Sequence, residues 1–114
     1  MKFSPKTIFQ LGIKIINVLE RVHQAGYIYN DMKFDNILVG NYKNNENTMH
    51  EVRMVDFGFA STYVDKAGKH LPETETEVFR SNMIFATVNQ FEFRNTSRRD
   101  DMMSLCYLLV FMFN

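Results

Sequence analysis

The stretch "MMSLCYLLVFMFN", Met102 to Asn114, limits what this chain can become. Its twelve residues before Asn114 are apolar except Ser104. Roughly 20 apolar residues are needed to cross a bilayer, so the run is too short to span one. A helix that is apolar on every side belongs inside a larger protein. The stretch therefore predicts a buried final helix, with Ser97 or Thr96 as its cap. Asp100 and Asp101 would lie in its first turn, where carboxylates meet the positive end of the helix dipole. A chain of 114 residues leaves little to surround such a helix. The expectation is a piece of a bigger domain.

A second helix is written at the other end. Ser4-Pro5 is a start signal, with serine as N-cap and proline at the first helical position. Ile8, Leu11, Ile15, Leu19 and Val22 follow at spacings of three and four, one stripe of a helix over residues 5 to 24. Gly26 suits the stop. "NILVG" and "VRMVDFG" then read as two short strands joined through the polar "NYKNNENTMHE". Residues 59 to 97 keep neither period and predict an extended loop region with a short helix or two. There is no internal repeat.

Thirteen basic and thirteen acidic side chains cancel. No global field therefore points to nucleic acid or to an anionic membrane. Cys106 is the single cysteine and can form no internal disulfide. The opening "MKFSPKTIF" lacks the apolar core of a signal peptide. A cytoplasmic or nuclear address is the default expectation.

Chemistry gathers in "YIYNDMKFDNILVG". Asp31 and Asn36 stand five residues apart with Lys33 between them, just before a strand. A further acid, Asp56, comes twenty-five residues after Asp31, at a strand end and before Phe57-Gly58. An acid near a substrate hydroxyl can accept its proton. An ammonium can offset charge on a transferring phosphate. A carboxamide and a carboxylate offer the oxygen ligands that magnesium prefers, the remainder coming from phosphate and water. The plain alternative is a set of polar turn residues, and the agreement of four roles in one pattern outweighs it.

The D-x-K-x-x-N pattern followed by D-F-G, behind a helix and in the order helix, loop, strand, loop, strand, resembles the protein kinases. "SRRDDMMSL", "ATVN" where other kinases carry an A-P-E triplet, and "KFSPKTIFQLGIKII" are similar to the casein kinase 1 family. The resemblance runs over residues 2 to 114. It implies an α+β fold: a lower-lobe (C-lobe) segment of a kinase domain, mainly helical, with a short β-hairpin carrying the catalytic and D-F-G loops. The segment would run from catalytic loop to large buried helix, the upper lobe being absent. The implied activity is transfer of the ATP γ-phosphate to serine or threonine hydroxyls of proteins. ATP and Mg2+ would be the cofactors, with no nucleic acid or membrane partner and a monomeric full-length parent.

Residue by residue, the resemblance makes Asp31 the catalytic acid/base and gives Lys33 the transferring phosphate. Asn36 and Asp56 would hold magnesium, and Leu38 would floor the adenine pocket. Asn82 stands where a threonine bridges the catalytic aspartate and lysine. Asp101 would brace the catalytic loop backbone, Arg99 would pair with an acid elsewhere in the lobe, and Asp35 would hold the loop through backbone contacts.

The sequence also departs from the family. H-R-D becomes Tyr29-Asn30-Asp31, and Asn30 cannot pair with an activation-loop phosphate. Phe34 replaces a proline. Ile84 replaces an arginine that helps bind phosphate on a substrate, which predicts weak preference for primed substrates. The glycine-rich loop, the β-strand lysine, its glutamate partner and the hinge are missing. A second class of function therefore stays open: a non-catalytic kinase-like fragment that binds or does nothing. His23 and His50 read as surface or helix-end residues and His70 as part of a polar loop, none of them metal ligands. Cys106 reads as an inert thiol inside the final helix.

Overall fold

The computed structural model describes residues 2–40 and 51–114. Helix α1, Pro5–Gln24, begins as the sequence predicts: Ser4 Oγ accepts the Thr7 N–H at 3.2 Å, and Pro5 needs no partner for its nitrogen. It ends at Ala25, and Gly26 turns the chain with φ +92°, a conformation only glycine adopts freely. Its buried residues are Ile8, Gly12, Ile15, Leu19 and His23. Leu11 and Val22 flank this stripe half-buried, so the buried face is rotated slightly from the one the apolar residues alone suggest. The reason is a helix contact. A Cβ built on Gly12 would lie 3.0 Å from Leu109 Cδ1, so a hydrogen there lets the last helix approach closely.

Strand β1, Tyr27–Ile28, pairs antiparallel with β4, Ser61–Thr62, while β2, Ile37–Val39, pairs antiparallel with β3, Val52–Met54. The β2–β3 pair is the expected hairpin; most of its predicted polar connection lies outside the described residues. The β1–β4 pair is new. Two-residue strands leave no periodicity to read, and the pairing partners are far apart in sequence. A 3-10 turn, Phe34–Asn36, leads into β2. A single four-residue helix, α2 at Val88–Phe91, falls within the stretch predicted to be mostly loop.

Helix α3, Arg98–Phe113, starts after Ser97, whose N–H donates to Asp100 Oδ2 at 2.9 Å. Within this chain the helix is buried along one face only. Asp101, Ser104, Leu105, Leu108 and Met112 are buried, whereas Tyr107, Val110, Phe111 and Phe113 are exposed. Cys106 is exposed too, not enclosed. The chain packs one face of α3 against α1 and leaves the other apolar and open.

Ile8, Ile15 and Leu19 of α1 meet Leu105, Leu108 and Met112 of α3 in one core, which Tyr29, Met32, Met54 and Phe85 complete. Each large aliphatic side chain so buried contributes about 1.5–3 kcal/mol. This core ties the turn around Asp31 to both helices. Among the described residues the architecture is α+β, with three helices and two small antiparallel sheets.

Candidate functional site

Asp31 sits between β1 and the 3-10 turn and is fully buried. Two carboxamides face its carboxylate. Asn36 Nδ2 donates to Oδ2 at 2.9 Å and also to the Asp31 carbonyl at 3.1 Å. Asn82 Nδ2 stands 3.5 Å from Oδ1, a long and weak contact, and donates better to the Met32 carbonyl at 2.7 Å. The Asn82 side of the carboxylate is the more weakly held of the two. The Asn82 oxygen accepts the N–H groups of Ile84 and Phe85 at 3.1 and 2.9 Å, which folds segment 81–86 over the loop.

Lys33 is half-buried, and it forms no ion pair among the described residues. Among the described residues the bridge from Asn82 to Lys33 that the resemblance implies is not made; Lys33 can only donate, and the Asn82 oxygen it would need accepts the Ile84 and Phe85 N–H groups. Asp35 is exposed and, among the described residues, forms no side-chain hydrogen bond, contrary to its expected bracing role. The turn is closed instead by the Asn36 N–H on the Lys33 carbonyl at 3.1 Å. Phe34 adds a packed anchor, its ring 5.9 Å from both Phe85 and Phe111.

Asp56 reaches the same region through the backbone. The Val55 N–H donates to the Asn36 carbonyl at 3.0 Å, placing the residue before Asp56 directly against Asn36. Asp56 adopts φ +61° and is exposed, with Oδ1 accepting the Gly58 N–H at 3.1 Å. A non-glycine residue held in this region costs of order 1–3 kcal/mol, and such strain gathers at functional sites. With Asn36 Nδ2 committed to Asp31 and its backbone carbonyl to Val55, the side-chain polar atom left to Asn36 is Oδ1; Asp56 likewise keeps Oδ2. Two hard oxygens fit a magnesium ion whose other ligands are phosphate and water. Among the described residues no group of three or more His, Cys, Asp or Glu is arranged to hold a metal. The donor set suits a cation delivered with its phosphates better than a closed protein cage.

Leu38 pairs with Arg53 across the hairpin and is 48% exposed, outside the buried cluster around Asp31.

Several residues matter more than the sequence suggested. Asn30, read only as a lost arginine, is a joint. It takes φ +70°, which asparagine tolerates better than most residues. Its Nδ2 donates to the Phe59 carbonyl and Ser61 Oγ at 2.8 and 2.9 Å, while its Oδ1 accepts the Thr96 hydroxyl at 2.6 Å. Tyr29 is buried, donates its hydroxyl to the Val55 carbonyl at 2.5 Å and packs edge-on against Phe57 at 5.2 Å. It thus links the Asp31 turn to the Asp56 turn. Burial first, then the nearby Asp31 charge, pushes the Tyr29 phenol above the ordinary tyrosine range.

Asp101 does what the sequence anticipated. Its two oxygens accept the Tyr29 and Asn30 N–H groups at 2.8 and 2.9 Å. His23 shares the carboxylate through Nε2 at 2.8 Å, so this histidine is a buried core partner rather than a surface residue. Arg99 is exposed and, among the described residues, has no ion-pair partner; the expected pairing is not seen.

The protein kinase domain model matches residues 1–114. The chain belongs to the protein kinase family. Among its curated relatives, a casein kinase I homolog of Kluyveromyces lactis is 33% identical over 111 residues, covering 96% of this chain and 20% of that protein. Casein kinase I homolog 1 of Saccharomyces cerevisiae is 32% identical, with the same shares covered. A Dictyostelium discoideum protein named as a probable serine/threonine-protein kinase is 32% identical over 109 residues, covering 96% of this chain and 21% of its own length. The likeness to casein kinase 1 drawn from the motifs is thus met by the relatives. This kinase chain spans about a fifth of the length of the curated relatives it matches.

Proposed function

We propose that the chain is the catalytic-loop segment of the lower lobe of a casein kinase 1-type serine/threonine kinase, acting on protein substrates. The observation that carries this reading is the joining of Asp31, Asn36 and the Asp56 turn by direct hydrogen bonds: Asn36 Nδ2 to Asp31 Oδ2 at 2.9 Å and Val55 N–H to the Asn36 carbonyl at 3.0 Å. One element offers a proton acceptor and the other a second oxygen ligand, with Asn36 between them, its side-chain amide on Asp31 and its backbone carbonyl on Val55.

In this reading Asp31 orients a serine or threonine hydroxyl and accepts its proton as the oxygen attacks phosphorus. Lys33, free of ion pairs among the described residues, offsets charge on the transferring phosphate. Bound magnesium, held by Asn36 and Asp56, would neutralise phosphate charge. Leu38 contributes an apolar surface beneath the adenine of ATP. Asn82 holds the Asp31 carboxylate on its outer side and gives way to substrate.

The test is γ-phosphate transfer from ATP to casein by the native protein carrying this sequence, with and without Mg2+. Mg2+-dependent labelling of serine or threonine supports the reading. A native protein that binds no nucleotide and transfers no phosphate overturns it in favour of the non-catalytic alternative.

A further inference from the structure

Away from Asp31, α1 and β3 enclose a groove of about 520 Å³ whose lining includes Lys14, Asn17, Val18, Arg21, Glu51 and Arg53. Three cations and one carboxylate share it. Glu51 already occupies Arg53, at 3.2 Å. Among the described residues neither Lys14 nor Arg21 has an ion-pair partner. Lys14 is half-buried and lines the groove.

From this groove we infer a docking site for an acidic peptide segment of a protein partner. Lys14 and Arg21 lie two helical turns apart, about 10 Å along the axis at ~1.5 Å per residue. That span exceeds what one phosphate or one carboxylate can bridge. It matches a peptide in the polyproline II conformation, whose three residues per turn and rise of about 3.1 Å per residue put acids three residues apart on one face and onto both cations. Asn17, one turn from each, can hydrogen-bond the peptide backbone between them. Val18 gives the intervening residue an apolar floor. The Glu51–Arg53 pair sets a charge boundary at the strand side.

A nucleic acid strand is a poorer fit. Among the described residues the groove lining contains no aromatic side chain on which a base could stack. Glu51 would also repel a continuous line of phosphates. None of these residues belongs to the Asp31 cluster, so the inference stands whether or not the chain takes part in phosphoryl transfer.

The test uses the native protein carrying this sequence and three fluorescein-labelled probes at low salt: a peptide with glutamates every third residue in a glycine–serine background, its glutamine counterpart, and an oligouridylate of similar length. Fluorescence anisotropy should show binding of the glutamate peptide and not of the glutamine one. Affinity should weaken with salt and fall about ten-fold in Lys14→Glu/Arg21→Glu. The milder Lys14→Gln/Arg21→Gln pair should move it the same way with an unchanged unfolding midpoint. Equal binding of the peptide by the wild type and both variants would overturn the site, as would failure of the glutamate peptide to bind. Tighter binding of the oligouridylate, lost in the same variants, would overturn the peptide assignment.

Discussion

The Asp101 carboxylate accepts the Asn30 N–H at 2.9 Å across 71 residues of sequence, fastening the last helix to the turn that carries Asp31. The same carboxylate serves Tyr29 and His23, so one buried acid satisfies three donors from two elements. Buried donors left without a partner are costly, which makes this acid central to the shape of the site.

Asp101→Ala should therefore destabilise the fold by about 3 kcal/mol, since two backbone amides and a histidine lose their acceptor together. Urea unfolding is the measurement. A lower midpoint with an unchanged slope is expected; a midpoint equal to the wild type would show that water replaces the carboxylate at no cost.

Asn30 should prove more than a vacated arginine. Asn30→Ala removes three side-chain hydrogen bonds and places a residue less tolerant of positive φ at +70°. A loss of about 2–3 kcal/mol is expected by thermal or urea unfolding. Asn30→Arg should be no better, because its guanidinium cannot accept from the Thr96 hydroxyl. An arginine variant as stable as the wild type would contradict the joint.

Tyr29 gives a pH signature. Its folded pKa is raised above the ordinary 10.0, by burial and by the Asp31 charge. A raised phenol binds its proton more tightly in the native state. Its stabilising contribution is complete below the unfolded pKa and is lost as pH climbs beyond about 10, by up to ~1.4 kcal/mol per pH unit. Stability of the wild type should thus drop more steeply above that pH than stability of Tyr29→Phe. Parallel curves for the two proteins would remove Tyr29 from the account.

Much of this was legible because it is local. Ser4-Pro5 and the three-and-four spacing set α1 to the residue, and Asp31, Lys33, Asn36 and Asp56 could be singled out from spacing alone. Asp101 was found through resemblance and holds the backbone as expected. What escaped was long-range. Nothing near His23 announces a partner 78 residues away, and the two-residue β1–β4 ladder has no period to betray it. Asn30 was misjudged because a substitution read against a family shows what is lost; the three new bonds appear only with Phe59, Ser61 and Thr96 in place. Cys106 was misplaced for a related reason: an apolar run does not say which face of a helix the chain covers.

Asn82→Ala separates positioning from chemistry. It frees the Asp31 Oδ1 side and releases segment 81–86 from two backbone contacts. In a phosphotransfer assay the KM for protein substrate should rise several-fold while the KM for ATP stays put. Equal changes in both would point to general loosening of the loop.

The most direct measurement is the rate of γ-phosphate transfer to casein by the native protein carrying this sequence, compared with its Asp31→Asn form, with unfolding midpoints read in parallel. The change is nearly isosteric, and the Asn36 amide can still find an acceptor. A fall of about 10²–10⁴-fold at an unchanged midpoint is the predicted result. Transfer at the wild-type rate would contradict the assignment of Asp31 as the group that takes the proton.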